Sequence, residues 1–416
     1  MRFVSLATIL LGVVTGAPAA APVFPGAQGF GIETPAGRGG HILRVTTLDS
    51  AGPGSLRAAL ETRGPRIVVF EIAGVIDLQR NNLEIAEPFV TVAGQTAPSP
   101  GITIIRGGIV IKTHDILLQH IRVRPGDAEQ PKKSGWDPEV TTSGPECYNI
   151  VVDHCSISWA VDENLSASGP RYNGPQGTTR NTTFSNNILA EGLYDSSHEK
   201  GIHSMGSLIH DSCTDIAVIG NLYAHNNQRN PYFKAFTTGV IVNNVIYNPG
   251  RAAIQVNWVP AEWEGKPVKP VNARVSVVGN VLYYGANTVA GLALLSPKGD
   301  AYMEDNLAFD RDGKPAPLTG GQINVLQEKP SWPAGLKALP AGEAVNHAVL
   351  HAGARPKDRD DVDRRILRDF EQRQGHFIDS QRDVGGYPQA KPVARKLTVP
   401  ARDIDGWLHK LAAELE

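Results

Sequence analysis

An all-β solenoid, one strand-bearing rung stacked on the next, is the fold this sequence predicts. Three observations predict it: a recurring strand phrase built on asparagine, the irregular spacing of its copies, and a turn-rich composition. The phrase is a few alternating apolar residues, an asparagine, then two or three apolar or aromatic residues. It occurs in NTTFSNNIL around Asn187, IAVIGNLY around Asn221, VIVNNVIY around Asn244, VSVVGNVLY around Asn280 and AYMEDNLAF around Asn306. These asparagines lie 34, 23, 36 and 26 residues apart. That is too irregular for a helical repeat array but suits one strand per solenoid turn with loops of variable length. A rung of a parallel β-helix accounts for it: alternate residues face the interior, and a side-chain amide at the bend can bond the backbone there and the amide of the next rung. ILLQHIRV at Ile121 and VVDHCSIS at Cys155 share the frame with other residues at that place. Separate antiparallel hairpins are the alternative.

Composition agrees. With 41% hydrophobic residues, 6% aromatics, 43 glycines and 30 prolines in 416 residues, the chain is turn-rich and globular rather than disordered or helical. A solenoid of this length can be one domain, because each rung needs only its neighbours. A net charge of -2 supplies no global field for nucleic acid or membrane, so an anionic partner must be held locally.

The elements follow in order. MRFVSLATILLGVVTGAPAAAP reads as a signal peptide over residues 1–19, with Arg2, an apolar run from Val4 to Val14 and Ala17-Pro18-Ala19 before the cleavage point. The protein is therefore expected to be secreted and to leave the membrane once the signal is removed. In an oxidising compartment Cys147, Cys155 and Cys213 could form at most one internal disulfide, with Cys155 read as a small buried rung residue. The glycines of FPGAQGFGIETPAGRGGH follow no predicted strand, so a nucleotide-binding loop is not indicated. SLRAALETRG at 55–64 predicts a helix capping the open end of the solenoid, and RIVVFEIAGVIDL at 66–78 predicts the first strand. Strands then continue to about Phe309. From Asp310 the texture turns to proline, glycine and charge, and RDDVDRRILRDFEQRQG predicts a helix whose Val362, Ile366, Leu367 and Phe370 form one apolar stripe. The expected division is a β-helix domain over 20–310 and a C-terminal extension over 311–416 that packs along the outside, with a separate domain as the alternative.

Two clusters could carry chemistry. WDPEV at 136–140 and VDHCSISWAVDENLS at 152–166 supply Asp137 and Glu139, which share a face if extended, and Asp162 with Glu163 on the next rung. Rungs about 4.8 Å apart would set these carboxylates against one another unless a cation sits between them. An all-oxygen ligand set favours Ca²⁺ over zinc; solvated loop acids are the alternative. The second cluster is cationic: SSHEKGIHSMG at 196–206 with Lys200, and HNNQRNPYFK at 225–234 with Arg229 and Lys234. His198 and His203 are five residues apart, so they would not share a helix face as zinc-protease ligands do.

Taken together, GFG, GRGG, GPGSLRAAL, GQTAP, RVRPGD, VDHCSISWAVDENLS, KGIHSMGS, RNPYFK and VNNVIYN resemble polysaccharide lyase family 1, the pectate lyases, and in particular the bacterial branch with the DHCSxSW and DE motif. The likeness runs in order over roughly residues 24 to 290, and VGGYP at 384–388 extends it. It implies a single-stranded right-handed parallel β-helix that cleaves polygalacturonate by Ca²⁺-dependent β-elimination. By position, the resemblance gives the base role to Arg229 and the substrate-carboxylate lysine to Lys200, with Lys234 and His203 also on the substrate side. It puts calcium-binding acids near Asp137 and on Asp162, with Glu139 an equally good candidate and Glu163 a neighbour. Lys234 stands where many members have a second arginine, keeping the charge but losing the bidentate fork. A free-acid polygalacturonate or pectin chain is the expected partner and a monomer the expected state. The rival readings are a non-catalytic carbohydrate-binding β-helix, a hydrolase with paired acids, and a lyase acting on methyl-esterified pectin.

Overall fold

The computed structural model describes residues 21–416, so the signal segment expected over residues 1–19 lies outside the described residues. After His41–Val45 and the short helix Leu56–Leu60, the chain winds through coils that each contribute one strand to three parallel sheets. One coil shows the pattern: Tyr148–Asp153 lies in the first sheet, Ser156–Ser158 in the second and Leu165–Ser166 in the third. Each pairs in parallel with its counterpart one coil away, as in Ile150↔Thr182 and Ser156↔Ile188. The asparagine intervals are the register itself: Thr182 pairs with Ile216, Ile216 with Gly239, Gly239 with Val275 and Val275 with Ala301. The chain is thus a parallel β-helix. Pairing continues beyond the composition change at Asp310, because Gln322–Val325 adds a parallel strand to Leu295–Glu304.

The predicted first strand is two strands. Arg66–Phe70 and Ile72–Asp77 belong to different sheets and part at Glu71, since a continuous apolar run can turn a corner while both pieces face one interior. That interior is lined with Val, Ile and Leu from every coil, closed at one end by Leu56 and Leu60 of the capping helix. Ser55 caps this helix by accepting from the Ala58 N–H.

The asparagine column stands at the bend between the first and second sheets. The Oδ1 atom of each asparagine accepts from the backbone N–H and the Nδ2 of the previous one, at 2.9 Å from Asn221 to Asn187, 2.9 to 3.0 Å from Asn244 to Asn221, 3.0 Å from Asn280 to Asn244, and 2.9 to 3.1 Å from Asn306 to Asn280. Cys155 heads the column, donating its N–H to Asn187 Oδ1 at 2.8 Å. The preceding residue is left-handed in successive coils: His154, Asn186, Gly220, Asn243, Gly279 and Asp305 all have φ between 47° and 69°. Those residue types tolerate that conformation best, which is why the phrases read NN, GN, NN, GN and DN. All three cysteines are buried and free, and burial pushes the Cys155 thiol up to about 12.

The C-terminal segment packs on the outer faces. Ile366, Leu367 and Phe370 of the helix Asp361–Glu371 cover Ile188, Leu222, Val245 and Val281 of the second sheet. Buried Arg122 and Arg124 reach Asp363 at 3.4 and 2.7 Å, Ser156 Oγ donates to Asp363 Oδ2 at 2.7 Å, and Arg365 pairs with Glu191 at 2.6 Å while Trp159 Nε1 donates to that carboxylate at 2.8 Å. The RVRPGD and DHCSISW runs therefore dock this helix. A second polar ladder crosses the first sheet. Asp153 is fully buried and accepts from Gln119 Nε2 at 3.0 Å, His154 Nδ1 at 2.7 Å, Ser185 Oγ at 2.7 Å and Asn186 Nδ2 at 3.1 Å. Burial opposes its ionisation, but His154 and the other donors outweigh that and hold the carboxyl at about 2.

The sign of the resulting pH dependence is fixed. A folded-state pKa below the unfolded value of about 3.9 makes a contribution that is fully present above pH 4 and disappears as pH falls through 2. Unfolding free energy measured against pH should fall across that window by on the order of 2 kcal/mol from this group, and Asp153→Asn should flatten the step.

Candidate functional site

The loops entering the third sheet bring most of the sequence candidates together. Val140↔Leu165 and Leu208↔Tyr232 pair in parallel, and the bridges Glu163↔Met205 and Met205↔Gln228 join the loops ahead of them. Glu139, Asp162, Glu163, His203 and Arg229 thereby arrive at one edge of the sheet from successive coils. There they line a cleft of about 280 Å³ together with Lys200 and Lys234. Asp137 alone among the sequence candidates does not line it and is exposed. A larger cavity of about 660 Å³ lies under the C-terminal helix Ile404–Leu415, and no sequence candidate lines that one.

Arg229 is held from both sides. Its φ is +63°, an unfavourable conformation for a long side chain that recurs at functional positions. Its N–H donates to Gln255 Oε1 at 2.8 Å, and its carbonyl accepts from the Ser207 N–H at 2.6 Å. Gly206 permits that approach, since a Cβ there would sit 2.5 Å from the Arg229 oxygen. The guanidinium contacts Glu163 Oε1 and lies 3.9 Å from Asp162 Oδ1. Burial lowers the Arg229 pKa, and the charge of Asp162 offsets part of that shift. Glu163, expected among the metal acids, is thus turned to the arginine.

Asp162 carries the centre of the site. His203 Nε2 stands 3.1 Å from its Oδ1 and His198 Nε2 3.8 Å from its Oδ2, and the two imidazoles stack with centroids 3.5 Å apart. The sequence spacing excluded a shared helix face for these histidines, but a loop brings them together all the same. Lys200 N–H donates to His198 Nδ1 at 3.1 Å, so the neutral ring carries its proton on Nε2, facing Asp162. Burial would raise the Asp162 carboxyl, but His198, His203 and then Arg229 hold it below the usual carboxylate range. Glu139 behaves oppositely: burial and the neighbouring Asp162 charge push it up to about 8. Its Oε2 is buried with no hydrogen-bond partner. A buried carboxylate oxygen without a donor, beside a second carboxylate, is the arrangement a hard cation with oxygen ligands completes. Glu139 and Asp162 therefore fit a Ca²⁺ ion better than Glu163 does.

Lys234 is not a free substrate contact. It is buried, 3.2 Å from Asp211 Oδ2 and in contact with Glu262. Arg171 joins them, 2.8 Å from Glu262 and 3.6 Å from Asp211. Asp211 and Glu262 escaped the sequence reading because neither belongs to a motif that marks it: Asp211 sits in a turn and Glu262 in the short helix Pro260–Trp263. Of the cations lining the cleft, only Lys200 has no acid partner among the described residues. Glu139, Asp162, Glu163 and Glu262 face Lys200, Arg229 and Lys234 across the cleft, so its own charges alone do not attract a polyanion.

No family model matches the chain. Among curated proteins, it is 32% identical over 379 residues to a probable pectate lyase C of Aspergillus flavus, covering 87% of this chain and 81% of that protein. It is 30% identical over 415 residues to a probable pectate lyase C of Neosartorya fischeri, covering 96% and 88%. Among solved structures, the major cedar pollen allergen jun a 1 superposes with a TM-score of 0.57 at 17% identity, over 79% of this chain and 92% of that one. The thermostable pectate lyase PL 47 superposes with a TM-score of 0.56 at 14% identity, over 82% and 99%. At those identities the structural likeness speaks to the fold.

Proposed function

The chain belongs to the pectate lyase family and is a polysaccharide lyase, and from that premise we propose that the cleft at Arg229 cleaves de-esterified polygalacturonate by Ca²⁺-dependent β-elimination. The observation that carries this reading is the convergence of an unpartnered buried Glu139 oxygen, Asp162, Lys200 and Arg229 on one cleft. The uronosyl C5 hydrogen is weakly acidic because it adjoins the carboxylate. Arg229 in its neutral form takes this proton, the C4–O bond to the leaving sugar breaks as the C4–C5 double bond forms, and the departing O4 takes a proton from water. Free arginine is a poor base, with a reference pKa of about 12.5 to 13.8; burial is what moves Arg229 toward the role. Lys200 pairs with the substrate carboxylate as negative charge builds on it. A Ca²⁺ ion held by Glu139 and Asp162, when bound, neutralises that same carboxylate. Glu163 and the Gln255 bond to the Arg229 backbone keep the guanidinium aimed into the cleft.

Ultraviolet-absorbing unsaturated oligogalacturonides should be released from polygalacturonate and should cease with a chelator; saturated products would point to a hydrolase, and bound polymer without products to a binding protein. A second expectation concerns the metal acids. Asp162→Asn should raise the Ca²⁺ concentration for half-maximal activity by about tenfold or more with the fold intact, and an unchanged calcium requirement would remove Asp162 from the site. We also read the protein as a secreted monomer freed of residues 1–19. No helix among the described residues is long and apolar enough to cross a membrane. Assignment to the bacterial branch rests on the DHCSISW and DE run and on VGGYP at 384–388, and the curated relatives above are fungal.

A further inference from the structure

The two ends of the cleft differ in chemistry. On one side Lys200 also lines an open groove of about 490 Å³ with Lys133 and Arg251. None of these three cations has an acid partner among the described residues, and Asp195, which also lines the groove, pairs with Lys132 at 2.7 Å, so three cations are left there to read carboxylates. On the other side the Arg171–Glu262 pair joins the cleft to a hollow of about 240 Å³ lined by Tyr172, Phe236, Trp263, Pro267 and Val268. Tyr172 Oη donates to the Glu262 carbonyl at 2.6 Å, and the Tyr172 ring stands edge-on to Trp263 with centroids 5.3 Å apart. Tyr172 and Val268 are 43% and 53% exposed, which is open apolar surface beside a polar cleft.

Positive charge at this end is mostly committed, Lys266 being the one lining cation with no acid partner among the described residues. Arg171 and Lys234 balance Glu262 and Asp211, and Lys266 Nζ lies over the Tyr172 ring at 4.2 Å. An ionised uronate placed here would lose water around its carboxylate and gain no free cation beyond Lys266. An uncharged ring with an apolar substituent would lose little and gain contact with the aromatic wall.

Resting on the lyase reading above, we propose that the Tyr172–Trp263–Val268 hollow is a subsite for a methyl-esterified uronosyl residue, so that the enzyme cuts free-acid stretches next to an esterified one. The test compares kcat/KM on partly methyl-esterified pectin and on fully de-esterified polygalacturonate, for wild type, Tyr172→Ala, Val268→Ser and the double variant Lys133→Ala/Arg251→Ala. In Tyr172→Ala and Val268→Ser the esterified-to-de-esterified ratio should fall, by about tenfold in the first, and the change should lie in KM. In the double variant the ratio should rise, because the carboxylate-reading groove is weakened. An unchanged ratio in Tyr172→Ala and Val268→Ser, with both proteins folded by circular dichroism, overturns the subsite. Absence of unsaturated product from either substrate in wild type overturns the lyase reading itself, an outcome distinct from an unchanged ratio.

Discussion

Arg229→Lys should lower kcat on polygalacturonate by about 10³-fold while changing KM by only a few-fold. The structure gives three reasons. The lysine ammonium is a compact point charge, and the guanidinium here reaches two carboxylates at once, in contact with Glu163 and 3.9 Å from Asp162. The backbone at this position is fixed in the left-handed region by Gln255 and Ser207, so a shorter side chain cannot recover the lost distance by moving its Cα. A base misplaced by about 1 Å costs on the order of 10² in rate from positioning alone. On the proposed reading, substrate affinity rests instead on Lys200 and on the cation that Glu139 and Asp162 would hold, which this change leaves in place. A loss confined to kcat assigns Arg229 to the transition state. Near-normal turnover with calcium saturating would give the proton to another group.

The asparagine phrase was legible because stacked rungs impose the same demand at each bend. A left-handed residue must be followed by a side chain that bonds both up and down, so the sequence repeats the answer. The residues of the cleft were legible for a different reason: the acids and cations stand in runs whose types recur in a known family, and the structure gathers Glu139, Asp162, Lys200 and Arg229 on one cleft. What the sequence hid is pairing. Nothing in HNNQRNPYFK shows that Lys234 is neutralised, because Asp211 and Glu262 reach it from positions 23 and 28 residues away. Nor does the DHCSISW run reveal that its Ser156 holds a helix from the far end of the chain, since Asp363 becomes its neighbour only through the fold. Long-range partners of single side chains leave no periodic trace. Loop lengths hide them further.

Asn244→Ala should destabilise the fold by about 3 to 5 kcal/mol, read as a shift in the urea midpoint at unchanged slope. Asn244 sits in mid-column and is fully buried. Its Oδ1 accepts from the backbone N–H and the Nδ2 of Asn221, and its own Nδ2 donates to the Val218 and Val242 carbonyls at 2.9 and 3.2 Å and to Asn280 Oδ1 at 3.0 Å. Truncation strands two donors on Asn221 and leaves carbonyls short of a partner in a region water does not reach. A buried donor or acceptor left without a partner costs about 1 to 3 kcal/mol, and the volume lost adds a cavity term. Asn306→Ala should cost less than Asn244→Ala, because Asn306 ends the column, is 7% exposed and has no asparagine below it to serve. Equal losses at both positions would mean that the amides act one rung at a time. A larger loss in mid-column is the signature of a stack in which each amide holds the next.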